Sequence, residues 1–220
     1  MVQQPANGIK ELNLRPFLKR LIPRPIDGLR SRLLGVKSWR ERQYAPPTPD
    51  HIKRKVLLRN GIPDAIWVET GTYLGDTTHF LSLHSKYVYS IEPEATLFKN
   101  AIKRFETQSN VKVLNGLSEE VFPKLIPQLS GDVNFWLDGH YSHGITHKGP
   151  RDTPINDELE HIQKHITQFS RLVVLIDDVH LFNSSIEEYA GYPSLDYLVD
   201  WSRGNGLAWH IEHDIFIASK

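Results

Sequence analysis

The sequence contains no cysteine and carries no formal net charge, since 26 basic residues balance 26 acidic ones. The absence of cysteine excludes disulfides, thiolate metal ligands and cysteine nucleophiles, and it fits a reducing compartment. The balanced charge gives no electrostatic reason to expect nucleic acid as a partner. The sequence also lacks any apolar run near the roughly 20 residues that cross a bilayer, and it lacks the apolar core of a secretory signal. We therefore expect a cytoplasmic protein.

The 220 residues, of which 40% are hydrophobic, suffice for one domain with a core and a short appendage. Residues 1–45 form the appendage, because basic side chains alternate there with leucines and prolines break the segment into short pieces. Two interpretations of this basic extension remain open. It contacts an anionic membrane surface or a partner subunit, or its leucines cover one face of the domain. Residues 46–220 form the domain, and a homo-oligomer is compatible with both interpretations.

Beyond the appendage, short apolar runs alternate with helical segments. Such alternation predicts a doubly wound, mostly parallel α/β sheet with helices on both faces. At the end of the chain, Leu207–Ile211 and Ile215–Ala218 are separated by three residues, too few for a crossover helix, so they predict an antiparallel hairpin. The other predicted strands lie near 66–70, 87–91, 111–115, 133–138 and 172–177, and the helices near 50–59, 75–84, 94–107, 118–129, 155–169 and 194–203.

The segment Ile66–Thr78 predicts a buried strand that turns sharply into a helix. Gly71 supplies a backbone angle closed to other residues and lets a ligand approach the main chain, while Gly75 lets the helix lie close to its strand. The pattern of Glu69, Gly71 and Gly75 resembles the first motif of class I S-adenosylmethionine-dependent methyltransferases. This resemblance covers about residue 50 to the end and implies a Rossmann-like, seven-stranded, mostly parallel sheet with a C-terminal antiparallel hairpin.

The resemblance also implies that S-adenosylmethionine binds at the first strand ends. Glu92 follows the second strand about twenty residues after Gly71, where doubly wound folds place an acid that accepts hydrogen bonds from ribose hydroxyls. Alternatively, Glu92 is an acid favoured by the dipole of the following helix. In this family, the residues after the third strand lie along the adenine ring. The predicted cofactor-binding residues are Glu69, Gly71, Thr72, Tyr73, Gly75, Thr77, Glu92, Pro93, Gly116, Leu117, Ser118, Asp138 and Gly139.

Three acids follow the fourth and fifth predicted strands. Asp138 ends the fourth strand, and Asp177 and Asp178 end the fifth, so parallel pairing would crowd them at one edge of the sheet. Crowded carboxylates repel unless one is protonated or a cation lies among them, and oxygen ligands suit Mg²⁺. The arrangement resembles metal-dependent O-methyltransferases of the catechol and sugar types, which implies a divalent ion on these three aspartates. Alternatively, Asp177 or Asp178 only caps the next loop.

His140 is the predicted general base, because the sugar-modifying relatives have an acid at the matching place and imidazole titrates near neutral pH. Asp138 completes the predicted catalytic pair. The alternative is that His140, with other histidines, recruits a softer transition metal. Residues 144–154 are too polar for a core element and predict a loop over the substrate, with residues 182–193 as the opposite wall. That loop is equally compatible with having no substrate contact.

These observations favour an enzyme that transfers the methyl group of S-adenosylmethionine to a hydroxyl of a small molecule or sugar, assisted by a divalent metal. Two other functions remain open. The same fold could serve a histidine and carboxylate transition-metal oxygenase or hydrolase, or it could be a non-catalytic binding module. A dinucleotide dehydrogenase is disfavoured, because the turn after Glu69 lacks the closely spaced glycine pair that pyrophosphate approach requires. The acceptor itself is not identified.

Overall fold

The computed structural model describes residues 24–139 and 153–220, with the side chains of the first helix described from residue 33 on. The predicted base His140 and most of the predicted substrate loop lie outside the described residues.

Strands and helices alternate along the described chain from Asp50 to Ile176, as the sequence predicts. The strands are β1 (Ile66–Thr70), β2 (Tyr87–Glu92), β3 (Val111–Asn115), β4 (Gly131–Leu137), β5 (Phe169–Ile176), β6 (Ala208–Glu212) and β7 (Ile215–Ser219). The α-helices are α1 (Arg24–Glu41), α2 (Asp50–Asn60), α3 (Asp76–Ser82), α4 (Ala95–Phe105), α5 (Ser118–Leu125), α6 (Ile155–Lys164) and α7 (Leu195–Gly204). Short 3₁₀ turns lie at Ile126–Gln128, Ile166–Gln168, Val179–Leu181 and Glu187–Tyr189.

The seven strands form one sheet in the order β3-β2-β1-β4-β5-β7-β6. The first five are parallel to one another, whereas β7 runs antiparallel to both β5 and β6. His213 and Asp214, both with positive φ, close the β6–β7 hairpin. This topology confirms the predicted fold class, including the C-terminal antiparallel hairpin.

The strand register brings the carboxyl ends of the central strands level with one another. Thr70 of β1 lies beside Leu137 of β4, and Leu137 lies beside Ile176 of β5. The strand order reverses between β1 and β4, and this is where open α/β sheets bind ligands. The residues after Leu137 and Ile176, both aspartates, therefore emerge side by side.

Both faces of the sheet are buried. Consecutive strand residues point to opposite sides, and they pack in two different core clusters. Phe135 packs in the larger core cluster, which includes residues of α5, α6 and α7. Its neighbour Trp136 packs in a second cluster with Val56 and Leu57 of α2. Helix α2 is therefore held against the sheet by its own apolar face.

The segment before α2 contacts the C-terminal hairpin. The buried Trp39 ring packs edge-on against Tyr44 and His213, and the Thr48 hydroxyl donates a hydrogen bond to the His213 carbonyl at 3.0 Å. The predicted division into residues 1–45 and 46–220 stays a prediction. Within the described ranges, none of the helices has both the length and the apolar composition needed to cross a bilayer.

Candidate functional site

The turn after β1 is bound tightly to the ends of its neighbouring strands. The amides of Gly71 and Thr72 both donate to the Ile91 carbonyl, at 3.0 and 3.1 Å. Gly71 has φ of +86°, as the sequence predicts, and a Cβ there would lie 2.6 Å from the Asp138 carbonyl oxygen. The chain after β4 is thus a close neighbour that requires glycine at this position, and the approach of a ligand to Gly71 stays a prediction.

Gly75 begins the next helix with φ of +81°. A Cβ on this residue would lie 2.8 Å from the Phe105 ring of α4. The sequence predicts that Gly75 lets α3 lie close to its own strand, but the nearest neighbour of the missing Cβ belongs to α4.

The Glu69 carboxylate is buried at the end of β1 and faces the protein interior. Its Oε2 accepts hydrogen bonds from the Thr78 and Ser90 hydroxyls, at 2.5 and 2.6 Å. Burial raises the pKa of Glu69 to about 7, although these two hydrogen bonds oppose the shift. Ser90 also contacts the Thr72 hydroxyl at 2.6 Å, so this buried polar network joins β1, β2 and α3.

Glu92 ties the same turn to the end of β2. Its Oε2 accepts from the Tyr73 amide at 2.7 Å, and its Oε1 accepts from the Glu94 amide at 2.9 Å. These contacts fix the buried carboxylate where the family resemblance implies that the ribose binds. The ribose contact itself stays a prediction.

The turn after β3 approaches the same strand end. The Gly116 amide donates to the Glu92 carbonyl at 3.2 Å, and Gly116 adopts φ of +138°. Leu117 precedes α5, which begins at the buried Ser118. Of the other predicted cofactor residues, Thr77 lines the small cavity described below, the Tyr73 side chain is exposed, and Pro93 and Gly139 are partly exposed.

The three predicted metal ligands lie together at the ends of β4 and β5. Asp138, Asp177 and Asp178 each offer a carboxylate oxygen within 4.8 Å of the others. They line a cavity of about 180 Å³ together with Thr77 and Trp136. Burial, followed by the nearby Asp177 carboxylate, raises the pKa of Asp138 well above its ordinary value.

Lys53 of α2, which the sequence does not indicate as a site residue, reaches into this cluster. Its Nζ lies 2.7 Å from Asp177 Oδ2 and 2.8 Å from Asp178 Oδ1, and its side chain is only 12% exposed. Burial by itself lowers the pKa of Lys53, but the Asp177 and Asp178 carboxylates outweigh burial and raise that pKa above its ordinary value. Burial raises the pKa of Asp177 to about 7, and Lys53 opposes this shift.

A divalent ion does not fit the cluster in this arrangement. The three carboxylates are suitable ligands for Mg²⁺ by type. However, an ammonium group already contacts two of them at hydrogen-bond distance, and an ion placed between the same oxygens would lie beside that positive charge. The cation required by crowded carboxylates is present here as a side chain.

A second polar group adjoins Asp178. His180 donates its backbone amide to Asp214 Oδ1 at 2.9 Å, and its Nδ1 lies 2.6 Å from Asp214 Oδ2. Asp178, His180 and Asp214 offer ligand atoms within 4.8 Å of one another. Asp178 therefore belongs to both polar groups, and its backbone adopts φ of +51°.

His180 and Asp214 line a larger cavity of about 880 Å³. Residues 179–196 form much of its wall, and Tyr44, Pro46 and Thr48 also line it. That the loop from Phe182 to Pro193 is a wall of the substrate site stays a prediction. Among the described lining residues there are two acids, Asp196 and Asp214, and neither lysine nor arginine.

Comparison with known proteins shows similarity in fold but not in family. No protein-family model matches the chain, and no curated protein matches it. A proposed caffeoyl-CoA O-methyltransferase from Staphylococcus aureus is similar with a TM-score of 0.51 and 14% identity, over 84% of this chain and 90% of that one. A methyltransferase from Aquifex aeolicus gives 0.49 and 16% over 75% and 86%, and an rRNA methylase from Streptococcus thermophilus gives 0.45 and 16% over 80% and 96%.

At 14% identity the similarity to the Staphylococcus aureus protein shows the fold alone. The chain has the class I methyltransferase fold. Its activity has to be argued from its own residues.

Proposed function

We propose that the chain is an S-adenosylmethionine-dependent methyltransferase that acts on a hydroxyl group of a small molecule or sugar. The observation that carries the proposal is the meeting of two groups at one edge of the sheet. The turn held by Glu92 follows β1, and the acidic cluster follows β4 and β5. They touch where the Asp138 carbonyl oxygen approaches Gly71.

The described residues suit this cofactor in chemical type. A carboxylate fixed at the end of β2, as Glu92 is, is the acceptor that a ribose diol requires. Tyr73, Thr77, Gly116, Leu117, Ser118 and Gly139 would complete the binding surface. Bound S-adenosylmethionine supplies an electrophilic methyl group, and the contribution of the chain is to position the acceptor hydroxyl in line with it.

The 880 Å³ cavity is the proposed acceptor site, because Asp178 connects its polar end to the acidic cluster. Aromatic and aliphatic side chains such as Tyr189 and Ile186 suit a partly apolar molecule. With two acids and neither lysine nor arginine among its described lining residues, the cavity favours a neutral or cationic acceptor over a phosphate-bearing one. This argues against nucleic acid as the acceptor. The base His140 stays a prediction.

Binding of the cofactor tests the proposal directly. We expect isothermal titration calorimetry to detect S-adenosylmethionine binding by the full chain, and Glu92→Gln to weaken it about tenfold or more, because an amide is a poorer acceptor for a ribose diol. Glu106→Gln, an exposed acid beyond the end of α4, is the matched control and should bind like the wild type. Absence of any heat with the folded wild type would refute the proposal.

The rival transition-metal function has one observation in its favour, the cluster of Asp178, His180 and Asp214. However, the Nδ1 of His180 is already paired with Asp214. Transfer of a radiolabelled methyl group to a hydroxyl acceptor would separate the two functions. Cofactor binding without transfer to any acceptor would instead favour a non-catalytic module.

A further inference from the structure

We propose that Lys53 takes the place of a divalent ion in the acidic cluster, so that Asp138, Asp177 and Asp178 are positioned without metal. Lys53 is then a positioning residue for the carboxylates beside the proposed acceptor site. The part of this inference that concerns methyl transfer rests on the proposed function, whereas the part that concerns metal binding does not.

The position of Lys53 is set by the packing of α2. Lys53, Val56 and Leu57 are spaced i, i+3 and i+4, so they share one face of the helix. Val56 and Leu57 are fully buried against the sheet in the cluster that contains Trp136. Because the apolar part of this face is fixed, the lysine one turn earlier is directed at the strand ends.

The ammonium group satisfies what the cluster requires. It donates to Asp177 and Asp178 at the same time, with both distances below 3 Å. These two carboxylates are neighbours in sequence, both reach the same nitrogen, and the backbone of Asp178 is left-handed. Lys53 and Asp177 are separated by 124 positions in the sequence, so this contact joins distant parts of the chain.

A divalent ion and Lys53 compete for the same oxygens. An ion bound to Asp177 and Asp178 would face a buried positive charge a few ångströms away, where solvent screening is weak. Either the lysine leaves or the ion does not bind. Because leaving would strand a lysine with little solvent exposure, the ammonium is the favoured occupant.

Terbium luminescence tests the competition without any assay of activity. Tb³⁺ binds carboxylate sites, and Trp136 lines the same cavity, so a bound ion should show tryptophan-sensitised emission. We expect the EDTA-treated wild type to give no saturable emission at this site. Lys53→Met, which keeps the length but not the charge, should acquire a site with a dissociation constant of about 10 µM or tighter.

Three further variants make this test specific. Lys55→Met removes an exposed lysine from the same helix and should behave like the wild type. Adding Asp177→Asn to Lys53→Met should abolish the acquired emission. Lys53→Arg retains a positive charge and should not bind Tb³⁺. Each variant is checked for folding by circular dichroism.

The wild type alone can overturn the inference. Saturable emission that Asp177→Asn removes would mean that an ion binds beside or instead of Lys53. This measurement remains decisive if Lys53→Met does not fold.

The activity measurement is separate. If the protein binds S-adenosylmethionine and transfers methyl groups, EDTA should leave the wild-type rate within about twofold, because no metal step is needed. A rate that collapses with EDTA and returns with Mg²⁺ would contradict the role of Lys53 while supporting the proposed function. If neither binding nor transfer is detected, the proposed function fails and the terbium result still decides the metal question.

Discussion

Glu158 is a buried carboxyl group at the start of α6, and its side chain is 1% exposed. Its Oε1 has no hydrogen-bond partner among the described residues and would lie 3.5 Å from a Cβ placed on Gly139. Burial raises the pKa of Glu158 to about 7, with the Ser118 and Thr70 hydroxyls opposing the shift. From the sequence, Glu158 is expected only to favour the start of its helix as an acid, but it lies beside the predicted cofactor residues Ser118 and Gly139.

The stability of the protein should therefore depend on the protonation of Glu158. The pKa of this carboxyl is about 7 when folded, against a reference of 4.5, so between these values the folded state holds a proton that the unfolded state has released. Its contribution to stability is present below the lower value and is lost as pH rises toward 7. Glu158→Gln should remove this loss and stabilise the protein at pH 8 by up to about 3 kcal/mol.

Urea denaturation at pH 5 and pH 8 measures this effect. Glu106→Gln, which replaces an exposed acid, should change neither value. The pKa of Glu69 is also raised to about 7, so Glu158→Gln should reduce the dependence of stability on pH but not abolish it. A variant with the slope of the wild type would show that Glu158 ionises normally in the folded state.

The positions of Lys53 and Glu158 beside the candidate site could not be predicted from the sequence. Both are charged, and charged residues on helices are usually solvated. The sequence does contain one indication that Lys53 points inward, because it shares a helix face with the apolar residues Val56 and Leu57. The sequence contains no indication of which oxygens that face would meet, since they lie 124 and 125 residues away.

At the scale of elements, the turn between β1 and α3 depends on one glycine for two separate reasons. Gly71 has a positive φ, and it also lacks the Cβ that would collide with the Asp138 carbonyl. Gly131, at the start of β4, has a similar φ of +79° but has open space around its missing Cβ. Alanine variants of Gly71 and Gly131 therefore distinguish the cost of the left-handed backbone from the cost of the collision.

Gly131→Ala should cost about 1 kcal/mol of stability, because only the left-handed backbone is penalised. Gly71→Ala should cost more, by roughly 2 kcal/mol, because the turn must move away from the chain after β4. Chemical denaturation gives both values, and calorimetry should show weaker S-adenosylmethionine binding for Gly71→Ala alone. Equal losses from the two variants would mean that the collision is relieved without consequence.

The elements themselves were largely predictable, because both sheet faces are buried and produce regular apolar runs. The boundary between α6 and β5 was not. The sequence predicts a helix over 155–169, but α6 ends at Lys164, a 3₁₀ turn follows, and β5 begins at the buried Phe169. The burial of Phe169 against Phe135 is a tertiary contact that helical periodicity cannot reveal.

At the scale of the whole molecule, the segment before residue 46 is connected to the last hairpin. Trp39 is 5% exposed and contacts both Tyr44 and His213. Tyr44 also lines the proposed acceptor cavity. Trp39 therefore packs on the hairpin, whereas Leu33 and Leu34 of the same helix are exposed. Both interpretations of the basic extension stay predictions.

Trp39→Ala should destabilise the full chain by about 3 kcal/mol, because a buried aromatic side chain is removed. Trp39→Phe should cost less, since the indole nitrogen has no hydrogen-bond partner among the described residues and its loss strands nothing. Thermal denaturation followed by circular dichroism measures both. Unfolding of Trp39→Ala that coincides with the wild type would indicate that α1 does not stabilise the domain.

The left-handed backbone of Asp178 affects which substitutions this position tolerates. A glycine would relax the left-handed conformation there, so a search for thermally hardier variants would be drawn to Asp178→Gly. The same exchange would leave Lys53 with one anion instead of two and would disconnect the acidic cluster from the cavity. The gain from relaxing the backbone, about 1 kcal/mol, is smaller than the expected cost of removing one of the two carboxylates that pair with the buried Lys53. A left-handed aspartate should therefore persist at this position.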